Sequence, residues 1–309
     1  MSTLMHTCTD NIAFVEFMVS SRAVPEWSRD LGQQILTTIV HHLPHATDFV
    51  ICAMSTRQQF LLIQGAATHL TTLELHSPLF VSSRHVIPVI HLPALRSLHL
   101  FQPARHIYVQ DFLARVSTRL VAPNLATLTV GNCIQGNGFA LRELVRHFGG
   151  RLTKLVLLED HNVHDENFTP LPLLPHLQQL EVDIHWAPVF IGHLVPGSTS
   201  ASAFPSLHTI VLQATPESVA KGLPDCRWPK IWNGINAVSQ RLKLVECCYR
   251  GDHCGLQDSF RIIVQEKLLA VAPYSPLRGP WTIWKGHRDS MPAPLAFVDD
   301  SDSAWGYTD

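Results

Sequence analysis

The chain has 309 residues, 46% of them hydrophobic and only 16% charged, with a formal net charge of −2. That length and apolar content suffice for a large buried core. The absence of a basic stripe argues against nucleic acid as a partner.

The start, MSTLMHTCTDN, lacks the positive region and apolar stretch of a secretion signal. Every apolar run is broken by His, Asp, Gln or Arg before it reaches the ~18 residues a membrane span needs. The seven cysteines are an odd number, and without a secretion signal they are expected to stay reduced. The expectation is an intracellular protein, cytoplasmic or nuclear, with no membrane partner.

Read in chain order, NIAFVEFMV predicts a strand around Phe17. VPEWSRDLGQQILTTIVHHL then places Trp27, Leu31, Ile35, Ile39 and Leu43 at four-residue steps, the spacing of one helix face. A second strand is anchored on Phe49. In LTTLELH, Leu73 and Leu75 alternate with polar residues, the period of a strand with one buried face. The same short pattern returns in LPALRSLHL at Leu98, in APNLATLTV at Leu128, at Leu155, in LPHLQQLEV at Leu180 and in FPSLHTIVL at Ile210, with a weaker copy at Leu242. Between strands, VQDFLARVSTRL lines up Phe112, Val116 and Leu120 on a helix, and FALRELVRHFGG stops at Gly149-Gly150. Pro93, Pro123, Pro175 and Pro205 stand just before strands, where they are expected to fix an extended approach and end the preceding segment.

The anchors recur 24 to 32 residues apart, most of them near the period of leucine-rich repeats. No single unit can bury its own leucines, so stacked units must share one core. The predicted fold class is α/β: a leucine-rich-repeat solenoid, a horseshoe arc with parallel strands on the concave face and helices outside. Residues 1–250 are read as an irregular array of about nine units. Residues 251–272, with Phe260, Ile263, Val264, Leu268 and Val271, are read as a capping helix. Residues 273–309 are read as an acidic tail containing Pro and Trp, partly disordered.

The LPxLxxLxL units, their irregular length and the inserted helices resemble the leucine-rich repeats of fungal F-box proteins, those of mushroom-forming fungi in particular. The resemblance spans roughly residues 10–250. It implies a protein-protein interaction scaffold related to substrate receptors of a ubiquitin ligase, with a Skp1-type adaptor as a further partner. Two departures stand against the full family pattern. Of the Asn or Cys that usually follows each strand, only Cys133 is present; Pro78, Pro103, Asp160, His185 and Thr215 occupy the matching positions. The F-box itself is not recognisable, since about ten residues precede the first strand and VPEW is read as part of a repeat helix.

Catalytic signatures are missing. There is no Walker loop, G-x-S-x-G or HExxH, and GNCIQGNG lacks dinucleotide-binding spacing. HNVHDE holds His161, His164, Asp165 and Glu166, enough ligand types for zinc, but reads as a polar loop. In CCYRGDHC the adjacent Cys247 and Cys248 point to opposite faces of an extended chain and read as packing thiols. No metal, no cofactor and no enzymatic activity are expected. The alternatives are an enzyme on a non-repeat α/β fold and a truncated or degenerate gene product.

A concave sheet face presents the residues that flank each buried pair. The candidate partner-binding residues are therefore Glu74, His76, His99, Phe101, Lys154, Val156, Leu158, Glu181, Asp183 and Val211. Their apolar centre and acidic rim suit a protein partner.

Overall fold

The computed structural model describes residues 14–18, 47–52, 56–76, 88–101, 109–131, 139–158, 171–191, 194, 204–215, 219, 228–238, 242, 244–249 and 281–283. The helix expected over Trp27–Leu43, the HNVHDE stretch and the capping helix expected over 251–272 lie outside them.

The alternating segments are strands. In chain order they are β1 (Phe14–Met18), β2 (Asp48–Cys52), β3 (Thr72–His76), β4 (Ile90–His91), β5 (Ser97–Phe101), β6 (Leu120–Val121), β7 (Thr127–Gly131), β8 (Lys154–Leu158), β9 (Gln179–Asp183), β10 (Thr209–Ala214), β11 (Leu244–Tyr249) and β12 (Trp281–Ile283). Ten of them form one sheet in the order β1-β2-β3-β5-β7-β8-β9-β10-β11-β12, and β4 pairs with β6 in a separate two-stranded sheet. Every described pair is parallel. The strand order never returns on itself, so the sheet is open. The fold is α/β.

The register follows the leucines. Phe49, Leu73, Leu98, Leu128, Leu155, Leu180 and Ile210 are successive lateral partners, one per strand. The two end anchors differ from the sequence reading. Val15 rather than Phe17 pairs with Phe49, and Val245 rather than Leu242 pairs with Ile210. Both ends have several apolar residues in a row, so alternation alone did not fix the frame. β12 adds a strand beside β11 within the segment read as an acidic tail.

The described helices are α1 (Thr56–Ala66), α2 (Val109–Arg119), α3 (Phe139–Phe148), the short α4 (Ala187–Phe190) and α5 (Trp228–Ala237). Leu141, Leu144, Val145 and Phe148 of α3 are buried, a three-and-four spacing that lays one face on the core. Phe112 and Val116 of α2 are buried in the same core, but Leu120, read as the next residue of that stripe, begins β6 instead. His147 at the end of α3 donates from Nε2 to the Leu120 carbonyl at 2.9 Å, tying helix to strand. One apolar cluster joins these helices to Leu73, Leu75, Leu98, Leu100, Leu128, Val130, Leu155, Leu157, Leu180 and Val182. Each such side chain contributes roughly 1.5–3 kcal/mol by leaving water.

The prolines have a sharper role than an extended approach. Leu95 donates to the Leu92 carbonyl, Leu125 to Ala122, Leu177 to Leu174 and Leu207 to Phe204, each at 3.2 Å. These are four-residue turns with Pro93, Pro123, Pro175 and Pro205 at the second position, where the fixed φ of proline fits. Gly150 takes that position in the turn from Gly149 to Leu152. The residue after the proline then reaches back one unit. Asn124 donates to the Pro93 carbonyl at 2.8 Å and Ser206 to the Pro175 carbonyl at 2.7 Å.

A second device sets the stagger. The carbonyl of Thr71 accepts both the Arg96 and Ser97 amides, and that of Arg96 accepts both Ala126 and Thr127. Ala126, Thr153 and Gln178 repeat it toward the following strands. β3, β5 and β7 to β10 are thus each entered with the amide of the first strand residue and the amide before it bound to one carbonyl of the preceding strand segment, which opposes a register slip.

Candidate partner-binding face

The sheet has a second face, opposite the leucine core. Its side chains fall in three lanes set by the register. The first lane, Thr72, Ser97, Thr127, Lys154, Gln179 and Thr209, is partly exposed along its whole length. The second runs Glu74, His99, Thr129, Val156, Glu181 and Val211. The third begins with His76, Phe101, Gly131 and Leu158, and includes the Asp183–Gln213 pair further along.

All ten residues proposed from the sequence lie on this face, but they are not equally accessible. Glu74, His99, Phe101, Lys154 and Leu158 are half-buried. His76, Val156, Glu181, Asp183 and Val211 are buried, Val156 to 2% and Glu181 to 1% exposure. Of these ten, the accessible ones therefore lie on β3, β5 and β8, while on β7, β9 and β10 only the first lane is partly exposed. Short side chains sit between tall ones. Gly131 illustrates this: a Cβ there would lie 2.6 Å from Phe101 Cδ1, so the missing side chain makes room for the Phe101 ring to lean onto β7.

The charged groups are organised. Glu181 accepts from Lys154 Nζ at 2.5 Å, from Gln179 Nε2 at 2.6 Å and from Gln213 Nε2 at 2.5 Å. This network spans β8, β9 and β10 and supplies the buried carboxyl group with three donors. Asp183 accepts the His185 amide at 2.9 Å. Glu74 accepts from His76 Nε2 at 2.7 Å, and the His76 and Phe101 rings lie 5.3 Å apart, tilted by 30°. Burial pushes the His99 imidazole below the usual histidine range; Glu74 opposes that shift and Lys154 adds to it.

Among the described residues, His99 Nδ1, Thr129 Oγ1 and Gln213 Oε1 on this face are buried without a hydrogen-bond partner. His99 and Thr129 are direct lateral partners on β5 and β7. Strand alternation places Thr129 and Gln213 on this face, but they were not among the candidate partner-binding residues. Single threonines and glutamines in a strand carry no signal until the register lines them up beside an acid and an imidazole.

Cys247 is buried in the leucine core and Cys248 is buried outside that cluster, one residue to each side of β11. Among the described residues no group of three or more His, Cys, Asp or Glu could hold a metal ion, and no helix is long and apolar enough to cross a membrane. Neither a family model nor a curated protein matches this chain.

Proposed function

We propose that this chain is a leucine-rich-repeat solenoid acting as a non-enzymatic protein-protein interaction scaffold, akin to the substrate-binding region of fungal F-box/leucine-rich-repeat proteins. The observation that carries the reading is the lateral alignment of one apolar anchor per unit from Phe49 to Ile210, repeated with the same turn and the same shared carbonyl. Such an array spends its apolar residues on joining neighbouring units. Its second face remains for recognition, and here that face mixes half-buried Phe101 and Leu158 with Glu74, His99 and Lys154. Aromatic and aliphatic anchors framed by charges are the make-up of a protein-binding patch. A Skp1-type adaptor remains a possible second partner through the resemblance alone.

The test is affinity capture of the full chain from its native cells after mild cross-linking, followed by mass spectrometry. Leu158→Asp is the control. Leu158 is half-buried, so the change is expected to spare the fold, whereas Asp at the buried Val156 would unfold it. The reading expects a specific partner that the folded Leu158→Asp variant no longer retains. Recovery of a Skp1-type adaptor and a cullin would add the ligase role. An identical set of proteins on both baits would remove this face from the function.

A further inference from the structure

We propose that Glu74, His76, His99 and Phe101 form a docking point for an arginine side chain of the partner polypeptide. The proposal rests on the interaction-scaffold reading and names the chemistry that one part of its face would recognise.

These four residues form a square on two adjacent strands. Glu74 is the lateral partner of His99, and His76 of Phe101. The carboxylate is held in place, because one oxygen accepts the His76 Nε2 proton at 2.7 Å. The Phe101 ring is held as well. It packs against the His76 ring on one side and leans onto Gly131 on the other, where any side chain would collide with it. A fixed carboxylate beside a fixed, partly exposed aromatic ring suits a guanidinium. That group is planar, stacks on aromatic rings, and donates in a rigid fork to a carboxylate.

The His99 Nδ1 and the Thr129 hydroxyl beside this square are buried and closed to an incoming side chain, so the square presents the carboxylate and the ring. The nearby cation of the face does not serve that carboxylate. Lys154, two strands away, is committed to Glu181 on its far side.

Other occupants fit less well. An acidic segment would face Glu74. A purely apolar one would strip water from that carboxylate and return nothing. A metal ion would need more ligands than the described residues group together.

The experiment uses the immobilised full-length chain and a library of peptides about ten residues long, with arginine fixed at the centre and degenerate flanks. A matched library carries citrulline, which keeps the shape and removes the charge. The arginine library is expected to be retained in preference. The best peptide from it should then bind Glu74→Gln about tenfold more weakly, the loss of one charge-assisted hydrogen bond, and should also bind Phe101→Leu more weakly. Circular dichroism checks that each variant is folded. Should Glu74→Gln fail to fold, the arginine-to-citrulline comparison on the selected peptide still decides the question. Equal retention of the two libraries would overturn the proposal, as would unchanged affinity for folded Glu74→Gln. Either result leaves the scaffold reading to its own cross-linking test, which Leu158→Asp decides separately.

Discussion

Glu181 tests whether the charged residues of the second face hold the array together. The carboxylate is 1% exposed and accepts from Lys154, Gln179 and Gln213. Glu181→Gln keeps the shape but replaces one acceptor oxygen with a donor group. Three donors would then compete for one carbonyl oxygen, and at least one loses its partner. Losing a hydrogen bond to a charged group costs about 1.5–3 kcal/mol, so Glu181→Gln is expected to destabilise by about 2–3 kcal/mol. Lys154→Met removes only one of the three donors. Its side chain is 31% exposed, so solvent already screens part of the attraction, and the expected cost is about 1 kcal/mol. The double variant should cost less than the sum, because without the lysine fewer donors compete for the glutamine carbonyl. Urea denaturation followed by circular dichroism measures all three, and thermal midpoints should fall by ~2–4 °C per kcal/mol. The reasoning is refuted if Lys154→Met costs more than Glu181→Gln, or if both stay within about 0.5 kcal/mol of the parent chain.

Two further predictions concern other parts of the fold. Gly234 lies within α5, where alanine would ordinarily stabilise a helix by about 1 kcal/mol. Here a Cβ would sit 1.9 Å from the Ile191 carbonyl oxygen, so Gly234→Ala is expected to reverse the sign and destabilise by about 1–3 kcal/mol; a raised melting temperature would show that α5 does not pack there. His99 makes stability depend on pH. Its folded pKa lies below the usual 6.5, so as pH falls through that value the unfolded chain takes up the proton first and stability drops. Above it the imidazole is neutral in both states and adds no slope. His99→Gln should flatten the stability curve as pH falls below about 6.5, and identical slopes for the two proteins would exclude His99 as the source.

Much of the sheet was legible because its signal is local and repeated. An alternating pair of apolar residues fixes which way a strand faces, and six close copies fix the same orientation six times. The ends of the array lost that advantage. FVEFM and LVECCY carry apolar residues on adjacent positions, so alternation no longer picks a frame, and pairing with the neighbouring strand decides it. The prolines were visible as punctuation, but their place at the second position of a turn depends on an i to i+3 hydrogen bond that the sequence does not encode one residue at a time. The back-reaching contacts of Asn124 and Ser206 are harder still. Each joins side chain and carbonyl 31 residues apart, a separation set by the length of the intervening unit.

The second face was legible in membership and not in exposure, for a physical reason. Which residues share a face follows from period two. How deeply each lies depends on the heights of its neighbours on adjacent strands. Thr129 is buried between its lateral partners His99 and Val156, and Glu181 between Val156 and Val211. This separates two roles that composition alone merges. The Glu181 network binds three strands to one another and has little surface left to offer a partner. The Glu74 square has one carboxylate oxygen engaged within the chain and a partly exposed ring beside it. Substitution in the first should lower stability before it alters binding. Substitution at Glu74 should alter binding at nearly constant stability, and that contrast is the strongest discriminator between a structural and a recognition role for this face.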